Sequence, residues 1–224
     1  MSREATRASV LRDSLGVAVA TGTYGVSFGA VSVTAGLDVW QTCALSLLVF
    51  TGASQFALVG VVASGGSPLS GAVSAILLGS RNTLYGLRIA PLLRVRGWRR
   101  AVHAHAVIDE STAMAVAQPT PDLARTGFLT TGWAIFVLWN LAPLLGAVGG
   151  DAIGDPRTYG FDAAVGAAFL GLLWPRLAGV TERVAALVAA ATAIGLVPLT
   201  TPGVPVLAAG LVALAFGARR RTGA

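Results

Sequence analysis

Two arginines interrupt an otherwise apolar stretch, LLGSRNTLYGLRIAPLL, at residues 77–93. An ionisable residue inside a membrane-embedded segment is costly and marks a candidate functional site. On a helix, Arg81, Tyr85 and Arg88 fall at positions i, i+4 and i+7 and share one stripe, with Asn82 beside it. The alternative for Arg81 is a buried structural ion pair, and for Arg88 it is snorkelling to the membrane surface.

The adjacent carboxylates Asp109 and Glu110 supply a possible partner for a buried arginine. Two neighbouring carboxylates near a basic group can bind an ammonium, and one of them can titrate near neutral pH and carry a proton. They are therefore candidates for both substrate binding and proton coupling. The alternative is a solvated helix. His103 and His105 are two positions apart, diverge on a helix, and are expected at the interface.

A third polar group lies in FTGASQFA, residues 50–57, within a long apolar block. Gly52 allows the backbone to bend, and a half-helix that starts here would offer free N–H groups to a carboxylate. Ser54 and Gln55 join it as candidate substrate-binding residues. The alternative is close helix packing with Ser and Thr as interhelical hydrogen-bonding groups.

The composition indicates an integral membrane protein, since 54% of residues are hydrophobic and only 12% are charged. The formal charge of +6 lies in short arginine clusters between apolar runs, so a lipid bilayer and not a nucleic acid is the expected partner. Enzyme motifs and metal-ligand spacing are missing from the sequence. The sequence therefore predicts a protein that is not an enzyme and has no catalytic residues, metal site or cofactor.

Apolar runs and arginine clusters predict one polytopic membrane domain over residues 1–224, all-α, with about six to seven membrane helices. The arginines place the tail 1–13, the connecting region 94–125 with a possible half-helix, and the basic tail 219–224 in the cytoplasm. Both termini are then cytoplasmic. Predicted helices cover 14–37 and, in the C-terminal half, about 128–148, 162–176, 182–199 and 204–218, with a turn in LVPLTTPGVP at 196–205.

The N-terminal half raises a problem of parity. Asp38 is expected outside and Arg94 inside, so an odd number of crossings must join them, yet two apolar blocks lie between them at 40–63 and 68–93. One block must therefore be broken or re-entrant, either around residues 51–55 or around residues 79–82. Non-helical backbone at membrane depth is tolerated only beside protein or a wet cavity, and broken helices bind substrate in many transporters.

The sequence resembles the AzlC family of branched-chain amino acid permeases. The resembling segments are GVSFGAVSVTAGL (25–37), SLLVFTGASQFALVGVVASG (46–65), LLGSRNTLYGLRIAPLL (77–93), the acidic pair at 109–110 and PLTTPGVPVLAAGLVALAFG (198–217). Members of that family often have His where this chain has Asn82.

The resemblance implies a multi-pass exporter of valine, leucine and isoleucine in the bacterial inner membrane, with methionine as a further candidate. It also implies a small hydrophobic partner subunit of the AzlD type and a secondary carrier without its own ATPase. In this hypothesis the substrate carboxylate meets Arg81 or the Gly52–Gln55 backbone, and its ammonium meets Asp109 or Glu110. The competing hypothesis is a membrane scaffold or assembly subunit that does not transport.

Overall fold

The computed structural model describes residues 6–153, 170, 173–174, 177–200 and 203–222, which form helices joined by short connections. The all-α prediction is confirmed. The helices are α1 (Arg7–Thr34), α2 (Val39–Leu48), α3 (Ala53–Ala63), α4 (Pro68–Gly79), α5 (Arg81–Leu93), α6 (Trp98–His105), α7 (Asp109–Val116), α8 (Pro121–Ile153), α9 (Val180–Leu196) and α10 (Val204–Thr222).

Two of the described helices, α1 and α8, are long and apolar enough to cross a membrane in one pass. Both begin before the apolar runs that predicted them. Helix α1 starts at Arg7 because Thr6 caps it, its hydroxyl accepting the Ser9 N–H at 3.2 Å. Helix α8 starts at Pro121, a residue favoured in the first turn of a helix. Most of the predicted helix 162–176 lies outside the described residues, which include only residues 170 and 173–174 of it.

Helices α1 and α8 pack closely and run parallel. A Cβ on Gly29 would overlap the Pro143 carbonyl oxygen, and one on Gly146 would overlap the Val26 carbonyl oxygen. Only glycine allows the two backbones to approach this closely. Residue numbers at the contacts increase in the same direction along both helices, so the helices are parallel. The contacts include Val10 with Gly127, Val26 with Gly146, and Val33 with Gly150.

A sharp break separates α2 from α3 at residues 49–52. Val49 leaves the helix with φ −112° and ψ 57°, and Gly52 adopts φ +58° and ψ −82°. The positive φ at Gly52 is strained for other residue types but open to glycine. The first of the two predicted breaks is therefore present.

Helices α4 and α5 meet at Ser80, and the second predicted break is a kink. Ser80 keeps helical dihedrals of φ −57° and ψ −26°, and its N–H still donates to the Ile76 carbonyl at 2.9 Å. The chain therefore continues in the same general direction through residues 68–93. The far end of α5 packs beside the start of α8, because Leu93 shares a core cluster with Phe128.

This chain path resolves the parity of the N-terminal half. The α4–α5 segment runs once along the molecule, from the end where α1 finishes to the end where α1 starts. Helix α3 packs antiparallel to α4, with Ser54 beside Gly79 and Leu58 beside Gly71. Helices α2 and α3 therefore enter from the end where α1 finishes and return to that same end, so this block is re-entrant.

A second hairpin enters from the opposite end. Helix α6 follows α5 and runs towards the centre of the molecule, where it ends at His105. Helix α7 then runs back antiparallel to α8, with Ser111 near Gly132 and Met114 near Gly127. The two hairpin tips touch where the His105 Nε2 atom lies 2.9 Å from the Leu47 carbonyl oxygen. His105, predicted at an interface, thus joins the two hairpins. The connecting region 94–125 holds the two short helices α6 and α7.

The last two described helices, α9 and α10, form a hairpin, and α10 also packs against α4. The predicted interruption at 196–205 is confirmed, since α9 ends at Leu196 and α10 begins at Val204.

Candidate functional site

The N-termini of α3, α5 and α7 lie close together, where the tips of the two hairpins meet the kink between α4 and α5. Arg81 is the first residue of α5 and Asp109 the first residue of α7, and both lie next to the Gly52 break. The Arg81 Nη2 atom lies 2.8 Å from the Asp109 Oδ2 atom, and the two side chains are 23% and 22% exposed. The kink and the second hairpin thus bring together two opposite charges 28 positions apart in the sequence.

The ion pair borders a central cavity of about 30 Å³. A space of this size holds one or two water molecules and is far smaller than the several hundred Å³ of an ordinary ligand pocket. Its walls are apolar and aromatic on one side and charged on the other. The lining residues are Thr21, Tyr24, Phe50, Thr51, Gly52, Ala53, Arg81, Ile108, Asp109, Glu110, Ile135 and Trp139.

Several polar atoms at the central cavity have no hydrogen-bond partner among the described residues. They are the Tyr24 hydroxyl, the Thr51 Oγ1 atom and the Arg81 Nε atom, all of them buried. Burying a polar atom without a hydrogen bond costs about 1–3 kcal/mol. Such groups are retained where a polar ligand or water uses them, so these atoms mark the central cavity as a candidate binding site.

The helix termini give the central cavity a charge pattern of its own. Helix α3 begins at Ala53 with no side-chain cap, and the N-terminus of a helix carries a partial positive charge. Asp109 and Glu110 occupy the first turn of α7, where negative charge is favoured by the same dipole. The central cavity therefore has groups for both ends of a zwitterion: Arg81 with the α3 N-terminus for an anion, and the two carboxylates for a cation.

The predicted residues Gln55 and Ser54 are fully buried beside the central cavity. The Gln55 Oε1 atom accepts the Gly52 N–H at 3.0 Å and the Trp139 indole N–H at 2.9 Å. Its Nε2 atom donates to the Leu45 carbonyl at 3.2 Å. These three hydrogen bonds fix the α2–α3 break against α8. The role of Gln55 is therefore to position the break.

The other predicted site residues do not all lie at the central cavity, and those on α5 face different surroundings. Gly52, Arg81, Asp109 and Glu110 all line the central cavity. Asn82 points into a different cavity between α5 and α6. Tyr85 packs against the core cluster that contains Phe128, and Arg88 is exposed. The stripe formed by Arg81, Tyr85 and Arg88 is real, but only its first member reaches the central cavity.

Sequence reasoning missed the aromatic wall of the central cavity. The Tyr24 ring lies 5.6 Å from that of Phe56 and 4.9 Å from that of Trp139, centroid to centroid. Tyr24 sits among the glycines of α1, and Trp139 precedes Asn140 near the middle of α8. Tyr24 is the one polar aromatic residue of α1, whereas α8 has two, Trp133 and Trp139, so the sequence did not indicate which tryptophan lines the cavity. His105 is a second omission, because its contact with Leu47 depends on the meeting of two separate hairpins.

Among the described residues, no group of three or more His, Cys, Asp or Glu side chains is placed to hold a metal ion. Outside the spanning helices, burial lowers the pKa of His103, and the positive charges of Arg125 and Arg99 lower it further. His103 is therefore shifted towards its neutral form.

Long apolar helices, interrupted helices and charges at their breaks are typical of a polytopic membrane protein. A family model described as AzlC protein matches residues 16–153, and the chain belongs to this family. The matched range contains most of α1, all of α2 to α8 and the whole central cavity.

Individual relatives agree with this assignment. The chain is 26% identical over 213 residues to "Inner membrane protein YgaZ" of Escherichia coli K12, covering 90% of this chain and 84% of that protein. It is 25% identical over 132 residues to an "Uncharacterized membrane protein" of Helicobacter pylori 26695, covering 58% of this chain and 57% of that protein. The chain thus spans little more than half the length of that Helicobacter relative. No solved structure matches the chain.

Proposed function

We propose that the protein is a secondary carrier that exports branched-chain amino acids as the large subunit of a two-component permease. The substrates are valine, leucine and isoleucine, with methionine as a further candidate. The observation that carries the proposal is the Arg81–Asp109 pair at the junction of two broken segments, next to an apolar wall. Family membership and the membrane-protein relatives support a role in membrane transport.

A branched-chain amino acid has the complementary chemistry. Its carboxylate would replace Asp109 on Arg81, where a planar guanidinium makes strong charge-assisted hydrogen bonds. Its ammonium would bind Asp109 and Glu110. The aliphatic side chain would lie against Phe50, Ile108 and Ile135, which line the central cavity. The exchange keeps both buried charges paired, which matters because an isolated charge in such a site is very costly.

The conformation described here has the central cavity closed. A volume of about 30 Å³ excludes an amino acid, so substrate can enter only after Arg81 and Asp109 separate. The Gly52 break and the Ser80 kink are the places where the backbone can turn, because Gly52 leaves the helical region of φ and ψ and Ser80 separates α4 from α5. The pair therefore acts as a gate that the two ends of the zwitterion open together.

Glu110 and Asp109 are also the proposed coupling residues. Since the substrate ammonium balances only one of the two carboxylates, a proton on the other carboxylate would balance the second negative charge. The proposed orientation has the chain in the bacterial plasma membrane with both termini in the cytoplasm, and a small hydrophobic AzlD-type subunit beside it.

Reconstitution tests the proposal. Liposomes loaded with unlabelled leucine should take up external labelled leucine by exchange, with and without the small partner subunit. Arg81→Ala and Asp109→Asn should each reduce exchange at least about tenfold, the loss expected from one charge-assisted contact. Arg88→Ala is the matched control, because this arginine lies on the same helix but is exposed.

Each outcome has a distinct meaning. Normal exchange in well-folded Arg81→Ala or Asp109→Asn protein would remove the site assignment while leaving the carrier in place. If wild-type protein exchanges no branched-chain amino acid with or without the partner, the protein is a scaffold or assembly subunit. In that case the 2.8 Å pair is a structural link between α5 and α7.

A further inference from the structure

A second cavity lies between α5 and α6, and we call it the α5–α6 cavity. Its volume is about 470 Å³, within the range of small-molecule pockets and many times larger than the central cavity. The wall is mostly aliphatic, with Ile89, Leu93 and Val107 among its residues. An amino acid that cannot fit at the closed gate can fit here.

Polar groups at the α5–α6 cavity are placed at its two ends. Asn82 is one residue from the gate arginine, and its Oδ1 atom is buried with no hydrogen-bond partner among the described residues. His103 also lines this cavity, and its Nδ1 atom is likewise buried and unpartnered within the described part of the chain. Arg100, exposed on the first turn of α6, adds a positive charge.

The position of the α5–α6 cavity makes it a path to the gate. Leu93 and Val95, which line one end, lie at the end of the molecule where α1 begins. Asn82 lies at the other end, beside Arg81. The cavity therefore extends from one surface of the molecule to the residue next to the Arg81–Asp109 pair.

We infer that the α5–α6 cavity is an entry vestibule that binds an aliphatic amino acid before the gate opens. The substrate carboxylate lies near Arg100 and His103, its ammonium donates to the Asn82 Oδ1 atom, and its side chain contacts the aliphatic wall. This inference rests on the proposed function, since it gives the carrier a second and separate binding site. The entering substrate would reach Arg81 by passing Asn82.

Cysteine labelling tests the vestibule. Cys43 is the only cysteine, so a Cys43→Ser background allows single cysteines to be placed at Ala90 or Ala104, which line the α5–α6 cavity. Val116→Cys is the matched control at the end of α7, because Val116 is 46% exposed, lies outside the spanning helices and lines neither cavity. The probe is a charged, membrane-impermeant methanethiosulfonate applied to reconstituted protein.

The two vestibule cysteines should react, and leucine should protect them. At about four times the half-protecting concentration, simple occupancy predicts about fivefold slower labelling. Protection should persist in an Arg81→Ala background, because the vestibule is separate from the gate. Arg100→Gln should raise the half-protecting concentration about two- to fivefold, the range for an exposed charge, and Arg96→Gln should leave it unchanged.

Several results would overturn the inference. Reaction with a hydrophobic maleimide but not with the charged probe would show that a lipid chain fills the α5–α6 cavity. Equal protection at Val116→Cys, absence of protection, or loss of protection with Arg81→Ala would each remove the separate site. These failures differ from failure of the carrier, because leucine exchange in liposomes is measured independently of labelling.

Discussion

The Arg81–Asp109 pair should contribute measurable coupling energy that substrate removes. The test is a double-mutant cycle with Arg81→Ala, Asp109→Ala and the double variant. The free energy of unfolding is measured in mixed micelles of a mild detergent and dodecyl sulfate, with and without valine. In a cycle of this kind, the interaction energy is the part of the double variant's destabilisation that the single variants do not account for.

The magnitude follows from the geometry. Two unit charges about 4 Å apart attract by about 4 kcal/mol at an effective dielectric constant of about 20. Exposed pairs contribute about 0.2–1 kcal/mol, and breaking a buried pair costs about 3–5 kcal/mol. Since these side chains are 23% and 22% exposed, we expect a coupling energy of about 2 kcal/mol, between those limits.

The chain contains a matched control pair. Arg12 and Asp13 lie 3.0 Å apart with side chains 66% and 56% exposed, so their coupling should stay below about 0.5 kcal/mol. Saturating valine should lower the Arg81–Asp109 coupling and leave the control unchanged, because the zwitterion takes over both partners. A coupling no larger than that of the control pair would refute the gate. Unchanged coupling in valine would refute the exchange of partners.

Other variants test the scaffold around the gate. Gly29→Ala should lower the folded yield in size-exclusion chromatography because its Cβ would overlap a facing carbonyl, whereas Gly16→Ala has open space and should not. Gln55→Leu removes three hydrogen bonds at the α2–α3 break and should lower the free energy of unfolding by about 2–4 kcal/mol, against under about 1 kcal/mol for Gln118→Leu. His105→Phe keeps the ring but loses the hydrogen bond between hairpin tips, so we expect a loss of about 1 kcal/mol in the same assay.

Some of the fold and site could be predicted because they depend on local chemistry. The apolar runs predicted α1, α8 and α10, since a membrane helix must satisfy its backbone internally and present apolar side chains to lipid. The parity of charged segments required a broken or re-entrant block between Asp38 and Arg94. The cost of a buried guanidinium made Arg81 a candidate in need of a carboxylate, and Asp109 was already one of the few available.

Helix ends were predicted less well for a physical reason. An apolar run reports which residues face lipid, whereas a helix continues for as long as its backbone hydrogen bonds and caps allow. Helix α1 therefore extends back to Arg7, and α8 extends from Pro121 to Ile153. The charged residues in these extra turns mark the ends of the apolar runs but do not end the helices.

The sequence by itself determined an all-α membrane protein, an interrupted N-terminal half and a short set of charged candidates. Only the tertiary structure decided that residues 39–63 turn back while residues 68–93 kink and continue. The difference lies in the backbone: Gly52 adopts a positive φ, and Ser80 stays helical. Tertiary structure also gave Gln55 a structural role. It placed Asn82 and Arg81 at different cavities, because side chains adjacent in sequence point to different sides of a helix.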